Sequence, residues 1–246
     1  MLRGKIALIT GSTGGIGYGI ARALAREGVA IMLNGFGDPA EIEKRRSALA
    51  SEFAVRVAYS SADLRWPDQV GTLCARAEAE LGPVDILVNN AGVLNVPAEP
   101  VENVKPDRWD DTVAVNLSAA FHTIRTTLPA MKAHGWGRIV NTASTLGMVG
   151  MANSAPYVAS KHGIIGLTRA VALETVDTGV TCNAICPGLV LTPFVQGRIE
   201  QAMAARNRLA MTFSQMNRHA DAAAMLEEMA ARGDNPMDVW FRLGEI

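Results

Sequence analysis

The sequence predicts a three-layer α/β/α fold in which a doubly wound parallel sheet lies between two layers of helices. Short apolar runs without regular polar alternation recur along most of the chain, and such runs are typical of strands that are covered on both faces. Stretches with the apolar spacing of helices separate one run from the next. Alternating strands and helices favour parallel pairing with right-handed crossovers, and such sheets bind ligands at the carboxyl ends of their strands.

The composition is that of one α/β domain or of two small ones. Apolar residues make up 49% and charged residues 19% of the 246 positions, which allows a sizeable core and argues against disorder. A net charge of −1 argues against a nucleic-acid surface. No apolar run approaches the roughly 20 residues of a membrane span, and the N-terminus lacks the layout of a signal peptide.

Three cysteines, Cys74, Cys182 and Cys186, form an odd and sparse set that fits a reducing compartment, so we expect a cytoplasmic protein. Cys182 and Cys186 could be interpreted as half a metal site, but no second pair of cysteines or histidines has matching spacing. We therefore expect buried strand thiols and no metal.

The first strand is predicted at residues 5–10, and a glycine-rich turn with Gly11, Gly15 and Gly17 leads from it into a helix that ends at Arg26. Strand, glycine turn and helix are the context that a dinucleotide fingerprint requires, although the spacing here is T-G-x-x-x-G-x-G. Glycines let the backbone turn sharply and approach a pyrophosphate, whose charge the N–H groups of the helix N-terminus would bind. A merely flexible loop is the alternative.

The second strand, predicted at residues 30–34, ends without the acidic residue that would hold a ribose 2′-hydroxyl. A helix is predicted at residues 39–52 and a third strand at residues 55–60. Asp63 follows the third strand, where it would either face an adenine amino group or serve as a turn carboxylate at a helix entry. The sequence leaves these two interpretations open.

The turn after the fourth strand contains only small residues. That strand is predicted at residues 86–89, after a helix at residues 67–81, and Asn90, Ala91 and Gly92 follow it. Small residues at this point would leave room for a cofactor ribose, although a turn alone also explains them.

A long helix is predicted at residues 109–131, with Asn116 inside it. Asparagine is a mediocre helix former, so Asn116 is interpreted either as a solvated residue or as a polar anchor. Two further strands are predicted, at residues 138–142 and 180–185.

Between these last strands, residues 157–175 have the apolar spacing of a helix, on which Tyr157 and Lys161 lie four residues apart and therefore on one face. A free tyrosine titrates near pH ~10 and is a poor base at neutral pH. An adjacent fixed cation favours the phenolate, so we expect the Lys161 ammonium to lower the pKa of Tyr157. A tyrosine and a lysine that merely share a helix face are the alternative.

Together these motifs resemble the short-chain dehydrogenase/reductase family from about residue 5 to residue 193. The matching positions are Thr10, Gly11, Gly15, Gly17, Asn89, Asn90, Ala91, Gly92, Asn116, Ser144, Tyr157, Lys161, Pro187 and Gly188. The resemblance implies a Rossmann-like fold and hydride transfer between a nicotinamide and a carbonyl–alcohol pair. It implies that Tyr157 exchanges a proton with the substrate oxygen, to which Ser144 donates a hydrogen bond. Lys161 would hold the nicotinamide ribose, and Asn116 would hold a water that links Lys161 to bulk solvent.

The same resemblance implies a cofactor site that begins at the glycine turn. Its predicted members besides Tyr157 and Lys161 are Gly11, Ser12, Thr13, Gly15, Ile16, Gly17, Phe36, Asp63, Leu64, Asn90, Ala91, Gly92, Pro187, Gly188 and Val190. NAD is expected rather than NADP, because residues 34–38 offer no Arg or Lys for a 2′-phosphate and Asp38 would repel one. Phe36 is expected to pack beside the adenosine.

Within the family, the sequence is most similar to bacterial 3-hydroxybutyrate dehydrogenases. Those enzymes capture the substrate carboxylate with two glutamines, a histidine, a lysine and a tryptophan. The corresponding positions of this chain are Leu94, Arg198, Leu146, Ser154 and Leu189. Charge-assisted hydrogen bonds to a carboxylate contribute roughly 1.5–3 kcal/mol each, so we expect poor activity on 3-hydroxybutyrate and a preference for a more apolar alcohol or ketone. Arg198 would restore one contact if it points inward and is otherwise a solvated helix residue.

The resemblance fails after about residue 200, which predicts a catalytic domain at residues 1–200 and an atypical segment at residues 201–246. Family members usually finish with a seventh strand, which this sequence does not clearly show. Residues 220–232 have the spacing of an amphipathic helix, and residues 238–243 are interpreted as a strand or a docking segment. We expect a mostly helical tail that packs on the same domain.

An NAD-dependent oxidoreductase acting on a small hydroxy or oxo compound is the function that this sequence predicts. A nucleotide-binding protein that keeps the scaffold without efficient turnover is the alternative, favoured by the altered pocket and tail. The family resemblance further implies a homodimer or homotetramer paired through the helices at residues 109–131 and 157–175. The expected ligand is a small molecule, with no nucleic-acid or membrane partner.

Overall fold

A computed structural model describes residues 2–94, 98–192 and 196, and these residues form a six-stranded parallel sheet in the order β3-β2-β1-β4-β5-β6. The strands are β1 (Ile6–Ile9), β2 (Ala30–Asn34), β3 (Val57–Ser60), β4 (Ile86–Asn89), β5 (Gly137–Thr142) and β6 (Val180–Ile185). The helices are α1 (Gly15–Arg26), α2 (Pro39–Phe53), α3 (Pro67–Glu80), α4 (Pro106–Val113), α5 (Ala119–Ala133) and α6 (Ala155–Glu174).

The predicted doubly wound α/β architecture is confirmed. Helices α3, α5 and α6 cover one face of the sheet, and helices α1 and α2 cover the other. Strand β1 shows why its sequence lacks polar alternation, because Leu8 packs in the first of these cores while Ala7 and Ile9 pack in the second. A strand buried on both faces gains from apolar residues at every position.

The strand order reverses between β1 and β4, and this reversal positions the site. Ile9 of β1 pairs with Leu33 of β2 on one side and with Val88 of β4 on the other. The chain therefore leaves β1 toward one edge of the sheet and later returns to build the other half from β4. In doubly wound sheets such a reversal opens a ligand crevice beyond the carboxyl ends of the central strands.

The prediction of one uninterrupted helix at residues 109–131 is wrong, because its winding changes part-way along. Helix α4 ends at Val113, one π-helical turn covers Ala114–Ser118, and α5 follows directly. A π-helical turn adds a residue to the helical repeat and is frequent at functional sites. The sequence does not reveal it, because five residues of altered winding barely disturb the apolar spacing.

Strand β6 lies at the edge of the described sheet and shows alternation that the other strands lack. Val180 and Cys182 are buried, whereas Thr181 and Asn183 are exposed. The prediction of a buried thiol holds for Cys182, whereas Cys186 after the strand is partly exposed. The described residues place Cys74 in α3, where it is buried as well.

The chain divides into two compact units, Met1–Gly188 and Leu189–Ile246. Of the second unit the structure describes only Leu189–Thr192 and Gln196. The expected helix at residues 220–232, the segment at residues 238–243 and the stretch where family members carry a seventh strand lie outside the described residues, so the predicted domain boundary at residue 200 stays a prediction.

A buried polar network crosses the core between the sheet and the two helices α5 and α6. The Nδ2 of Asn89 donates to the Oδ1 of Asn141 over 2.9 Å, and the Nδ2 of Asn141 donates to Thr168 Oγ1 over 2.9 Å. The hydroxyl of Thr123 on α5 donates to the Oδ1 of Asn89 over 2.7 Å. Because all four residues are buried, the network fixes both helices against the strands that carry the site.

This network predicts a measurable difference between two threonines of α5. Thr123→Val leaves Asn89 Oδ1 without its donor in the core and is expected to lower the free energy of unfolding by about 1–3 kcal/mol. Thr126→Val is the matched control, because the Thr126 hydroxyl bonds only the His122 carbonyl and is exposed. Urea denaturation with unchanged m-values would measure both. Equal stability of the two variants would contradict a structural role for the network.

Candidate active site

Tyr157 and Lys161 lie one turn apart on α6, at the carboxyl edge of the sheet. Lys161 is only 3% exposed, and its Nζ donates a hydrogen bond of 2.8 Å to the carbonyl oxygen of Thr142 at the end of β5. The same nitrogen lies 5.6 Å from the centroid of the Tyr157 ring. The structure thus places the two side chains together, as the four-residue spacing predicts.

Ser144 follows β5 and begins a single 3-10 turn, Thr145–Gly147, with its hydroxyl accepting a 3.2 Å hydrogen bond from the Leu146 N–H. Gly147 brings this turn against α6, because a Cβ at Gly147 would lie 2.5 Å from the Lys161 carbonyl oxygen. The close approach lets Ser144 interact with Tyr157, and this hydrogen bond acts to lower the pKa of Tyr157.

Burial shifts both ionisable groups toward their neutral forms. It raises the pKa of Tyr157 above its ordinary value of 10.0, and the hydrogen bond with Ser144 offsets only part of this rise. Burial also lowers the pKa of Lys161 from 10.5 to about 8, opposed in part by the charge of Cys186. The expected lowering of the Tyr157 pKa by Lys161 is therefore wrong, because burial raises this pKa and the Lys161 ammonium donates its hydrogen bond to Thr142.

Asn116 is a buried polar anchor, which decides between the two interpretations of its place in the helix. Its Oδ1 accepts a 2.7 Å hydrogen bond from the Val93 N–H, and its Nδ2 donates to the Val93 carbonyl oxygen over 3.0 Å. The Nδ2 also donates to Ser160 Oγ over 3.1 Å, and that hydroxyl donates to the Tyr157 carbonyl oxygen over 2.8 Å. Asn116 thereby joins the segment after β4 to the first turn of α6.

The glycine turn packs against the segment after β4 so closely that side chains are excluded. Gly11 has a φ of +60°, and a Cβ there would lie 2.7 Å from the Cα of Ala91. A Cβ at Gly17 would lie 2.3 Å from the Gly11 carbonyl oxygen. The Nδ2 of Asn90 donates to the carbonyl oxygens of Thr10 and Gly11 over 3.0 Å each. These contacts favour the interpretation of residues 11–17 as a defined glycine turn over that of a flexible loop.

Helix α1 begins at this turn without a side-chain cap on Gly14 and without an acidic residue in its first turn. The first N–H groups of a helix have no partner within the helix, and their partial positive charge attracts anions. An uncapped helix start behind a tight glycine turn fits the pyrophosphate of a dinucleotide. The residues present therefore fit the cofactor that the sequence predicts.

The family model of short chain dehydrogenases matches residues 5–203 of this sequence. The chain belongs to the short-chain dehydrogenase family. The family binds a nicotinamide cofactor, and the match spans the glycine turn, Asn116, Ser144, Tyr157 and Lys161.

Two curated proteins and one solved structure are similar to this short-chain dehydrogenase. It is 52% identical over 200 residues to the D-beta-hydroxybutyrate dehydrogenase of Cupriavidus necator, over 81% of this chain and 76% of that protein. It is 50% identical to the D-beta-hydroxybutyrate dehydrogenase of Rhizobium meliloti, over 79% of this chain and 75% of that protein. A crystal structure of a metagenomic short-chain oxidoreductase in complex with NADP has a TM-score of 0.71 at 33% identity, over 76% of this chain and 84% of that chain.

The predicted cofactor residues Ser12 and Thr13 have internal partners in this short-chain dehydrogenase. The Ser12 hydroxyl is fully buried, donates to the Ile9 carbonyl oxygen over 2.7 Å and accepts from the Asn34 N–H over 3.0 Å. The Thr13 hydroxyl donates to the Phe36 carbonyl oxygen over 2.9 Å. Both side chains therefore hold the glycine turn to β2 and to the loop that follows β2. The groups of this turn that remain for a ligand are backbone groups.

The end of β2 carries Asn34 where an acidic residue would bind a ribose, and the Asn34 side chain already has hydrogen-bond partners within the protein. The Nδ2 of Asn34 donates to the carbonyl oxygens of Ser60 and Ala62, over 3.1 and 3.0 Å. The amide therefore holds β2 to the loop after β3. Phe36 projects with 63% exposure, which leaves its ring free to cover a ligand.

Asp63 occupies a turn, which supports the second of its two interpretations. Its carboxylate accepts hydrogen bonds from the Arg65 N–H over 3.0 Å and from the Arg65 guanidinium over 2.6 Å. The guanidinium holds the pKa of Asp63 below its ordinary value. Leu64, the next predicted cofactor residue, packs in the core on the α3 face of the sheet.

The predicted substrate pocket is only partly described. Leu94 is 40% exposed after the turn that follows β4, Leu146 is half-buried beside Ser144, and Ser154 is buried at the start of α6. Leu189 and Val190 are exposed residues of the second unit, and Arg198 lies outside the described residues. Leu146 lies in the 3-10 turn that Ser144 begins, so these two predicted site residues are neighbours.

The described ranges contain no cluster of three or more potential metal-ligating side chains. Within the same residues, none of the helices has both the length and the apolar character needed to cross a membrane.

Three residues with contacts in the candidate site carry little signal in the sequence. Ser160 lies between Tyr157 and Lys161 and carries the bond from Asn116, and a small polar residue inside an apolar helix face was its only signal. The hydroxyl of Thr142 is buried without a hydrogen-bond partner among the described residues. Arg45 reaches back from α2 to the glycine turn, a contact that depends on how α2 packs.

The lowered pKa of Lys161 predicts a pH dependence of stability. Between pH 8 and 10.5 the unfolded chain keeps the Lys161 proton that the folded chain loses, so folding stability from this residue rises with pH. We expect the Tm of the parent protein, relative to that of Lys161→Met, to increase from pH 8 to pH 10.5. Thermal scans across this range would measure it.

Lys44→Met is the control, because the Lys44 side chain is 76% exposed on α2. Its profile is expected to follow that of the parent protein. Parallel profiles for the parent and Lys161→Met would show that Lys161 is not titrated in this range.

Proposed function

We propose that this short-chain dehydrogenase is an NAD-dependent oxidoreductase that acts on a small hydroxy or oxo compound. The observation that carries the proposal is the convergence of Tyr157, Lys161 and Ser144 at the carboxyl edge of the sheet, beside an uncapped helix start at the glycine turn. Position and electrostatics are what a protein adds to nicotinamide chemistry. The names of the two D-beta-hydroxybutyrate dehydrogenases support the same class of reaction.

The proton steps follow from the roles of these side chains. The bound nicotinamide supplies the hydride acceptor or donor. In alcohol oxidation the substrate hydroxyl gives its proton to the Tyr157 oxygen, and in carbonyl reduction Tyr157 returns it. Ser144 donates a hydrogen bond to the substrate oxygen. Lys161 supplies positive charge next to Tyr157, and Asn116 holds the first turn of α6 in place through Ser160.

The Tyr157 assignment predicts a specific loss of rate. Tyr157→Phe removes the proton donor and acceptor while keeping the ring, so kcat is expected to fall by roughly 10²–10⁴. Cofactor affinity is expected to stay near the parent value, as measured by quenching of protein fluorescence. Tyr59→Phe is the control, because the Tyr59 hydroxyl bonds the Gly35 carbonyl oxygen outside this cluster. Turnover of Tyr157→Phe at the parental rate would show that another residue moves the proton.

The substrate is proposed to be less polar than 3-hydroxybutyrate. Two positions that the resemblance to 3-hydroxybutyrate dehydrogenases assigns to carboxylate capture carry leucine here, Leu94 and Leu146, and a third carries Ser154 in place of a cation. Losing two or three charge-assisted contacts of roughly 1.5–3 kcal/mol each would lower kcat/KM by several orders of magnitude. The names of the two relatives point the other way, which makes the substrate the property to test.

Steady-state assays on 3-hydroxybutyrate and on neutral secondary alcohols of similar size would decide this. We expect the neutral alcohols to react faster. The double variant Leu94→Gln with Leu146→His is expected to raise kcat/KM for 3-hydroxybutyrate by tenfold or more, since it restores two polar contacts. Efficient oxidation of 3-hydroxybutyrate by the parent protein, with kcat/KM near ~10⁴ M⁻¹s⁻¹, would show that the pocket argument is wrong.

A nucleotide-binding protein without efficient turnover is the second candidate, and one observation favours it. Burial raises the pKa of Tyr157, whereas an efficient base needs a pKa near the working pH. Nucleotide binding without turnover of any alcohol or ketone in the panel would support this candidate.

We further propose a homodimer or homotetramer in a reducing compartment. Phe121 on α5 is 47% exposed and Leu173 on α6 is 76% exposed, which supports pairing through these helices. Light scattering at micromolar concentration tests the assembly, and a monomer would overturn it.

A further inference from the structure

Arg45 reaches from the second turn of α2 to the glycine turn. Its guanidinium Nη1 donates a hydrogen bond to the Thr13 carbonyl oxygen. A Cβ at Gly14 would lie 3.2 Å from the same nitrogen, so the absence of a side chain at Gly14 leaves the room that the guanidinium occupies. The side chain is half-buried, and its cation therefore lies against the backbone that leads into α1.

Tyr18 on α1 holds Arg45 from the other side. The Arg45 guanidinium carbon lies 5.7 Å from the centroid of the Tyr18 ring, a distance at which a cation is attracted to an aromatic face. The Tyr18 hydroxyl donates to the Arg45 carbonyl oxygen over 3.5 Å. The guanidinium is thus positioned between a ring and a carbonyl oxygen instead of extending freely into solvent.

Thr13 connects this cation to the end of β2. Its hydroxyl donates to the Phe36 carbonyl oxygen over 2.9 Å, and a Cβ at Gly35 would lie 2.8 Å from the same hydroxyl oxygen. Arg45 therefore contacts the residue at which the glycine turn and the end of β2 meet. In dinucleotide-binding sheets the adenosine ribose lies at the end of this strand.

The acidic residues around Arg45 have other partners. Asp38 accepts from the Ala40 N–H over 3.4 Å as the cap of α2. Glu41 lies 3.7 Å from the Lys44 ammonium, and Glu43 lies 2.6 Å from the Arg46 guanidinium. Within the described part of the chain, Arg45 makes no ion pair with a carboxylate, and an arginine has five N–H donors, of which the Thr13 carbonyl uses one.

The end of β2 also lacks the group that normally rejects a phosphorylated ribose. An acidic residue at this position binds the 2′-hydroxyl of NAD, whereas an arginine nearby accommodates the 2′-phosphate of NADP. Asn34 stands there instead, and its amide is committed to the carbonyl oxygens of Ser60 and Ala62. The strand end is therefore neutral, with one cation beside it.

We propose that Arg45 is a specificity-determining residue that binds an adenosine 2′-phosphate, so that the site accepts NADP beside NAD. The inference rests on the proposed function, because it concerns the same cofactor site. It revises the sequence-based argument that no base is available, since Arg45 comes from the second turn of α2 instead of residues 34–38. Asp38 still adds negative charge nearby, so NAD remains the preferred cofactor. Arg45 reduces the difference between the affinities for NAD and NADP.

Calorimetric titration of the full chain with 2′,5′-ADP and with 5′-ADP tests this without catalysis. These nucleotides differ in the 2′-phosphate, and a charge-assisted hydrogen bond to it is worth about 10- to 100-fold in affinity. We expect Arg45→Gln to weaken 2′,5′-ADP by this factor and to change 5′-ADP less than about twofold. Arg45→Lys keeps the charge but lacks the planar guanidinium, so its affinity for 2′,5′-ADP is expected to lie between those of the parent protein and Arg45→Gln.

Arg46→Gln is the matched control, because it removes the same charge from the next residue while its partners are Glu43 and the Val57 carbonyl oxygen. It is expected to leave the affinity ratio of the two nucleotides unchanged. An equal loss of both nucleotides in Arg45→Gln, or no loss of 2′,5′-ADP, would overturn the assignment while the proposed function stands. Failure of the parent protein to bind either nucleotide would overturn both.

Discussion

The buried ammonium of Lys161 is the constraint on which the site depends. A charged group at 3% exposure is costly unless it is hydrogen-bonded, and the Thr142 carbonyl oxygen at the end of β5 supplies that bond. The bond fixes the height of α6 above the sheet. Gly147 can then bring the Ser144 turn against the Lys161 backbone, and Gly92 leaves room near the ammonium, where a Cβ would lie 3.5 Å from Nζ. A side chain at Gly92 would therefore crowd the ammonium, and one at Gly147 would crowd the Lys161 backbone.

Asn116 extends this constraint to the rest of the crevice. The π-helical turn brings its amide to Val93, after β4, and to Ser160 on α6. The segment after β4 is tied in turn to the glycine turn through Asn90. Helix α6 and the glycine turn, which lie far apart in sequence, are therefore connected through amide side chains, and the networks that specify the fold also align the candidate site.

The sequence predicts much of this arrangement, but it does not predict the features that depend on tertiary packing. Strands β2, β4 and β6 begin and end where their apolar runs predict, because the apolar run of a strand is a local feature of the sequence. The sequence does not reveal the π-helical turn at Ala114–Ser118, where Asn116 accepts a hydrogen bond from the Val93 N–H. The pKa of Tyr157 was predicted in the wrong direction because four-residue spacing says nothing about desolvation. The sequence does not reveal the contact of Arg45, because only the packing of α2 brings this residue to Thr13.

The opposite shifts of Tyr157 and Lys161 have a consequence for the direction of proton transfer. Desolvation raises the pKa of Tyr157 and lowers that of Lys161 to about 8, so both groups are driven toward their neutral forms. At neutral pH Tyr157 is therefore protonated, the form that gives a proton to a carbonyl oxygen. Alcohol oxidation needs the phenolate, which becomes accessible only at higher pH or with more positive charge in the crevice. Under the proposed function, the protein without cofactor therefore holds Tyr157 in the form that suits carbonyl reduction, and Lys161, with a pKa of about 8, loses its charge before Tyr157 loses its proton.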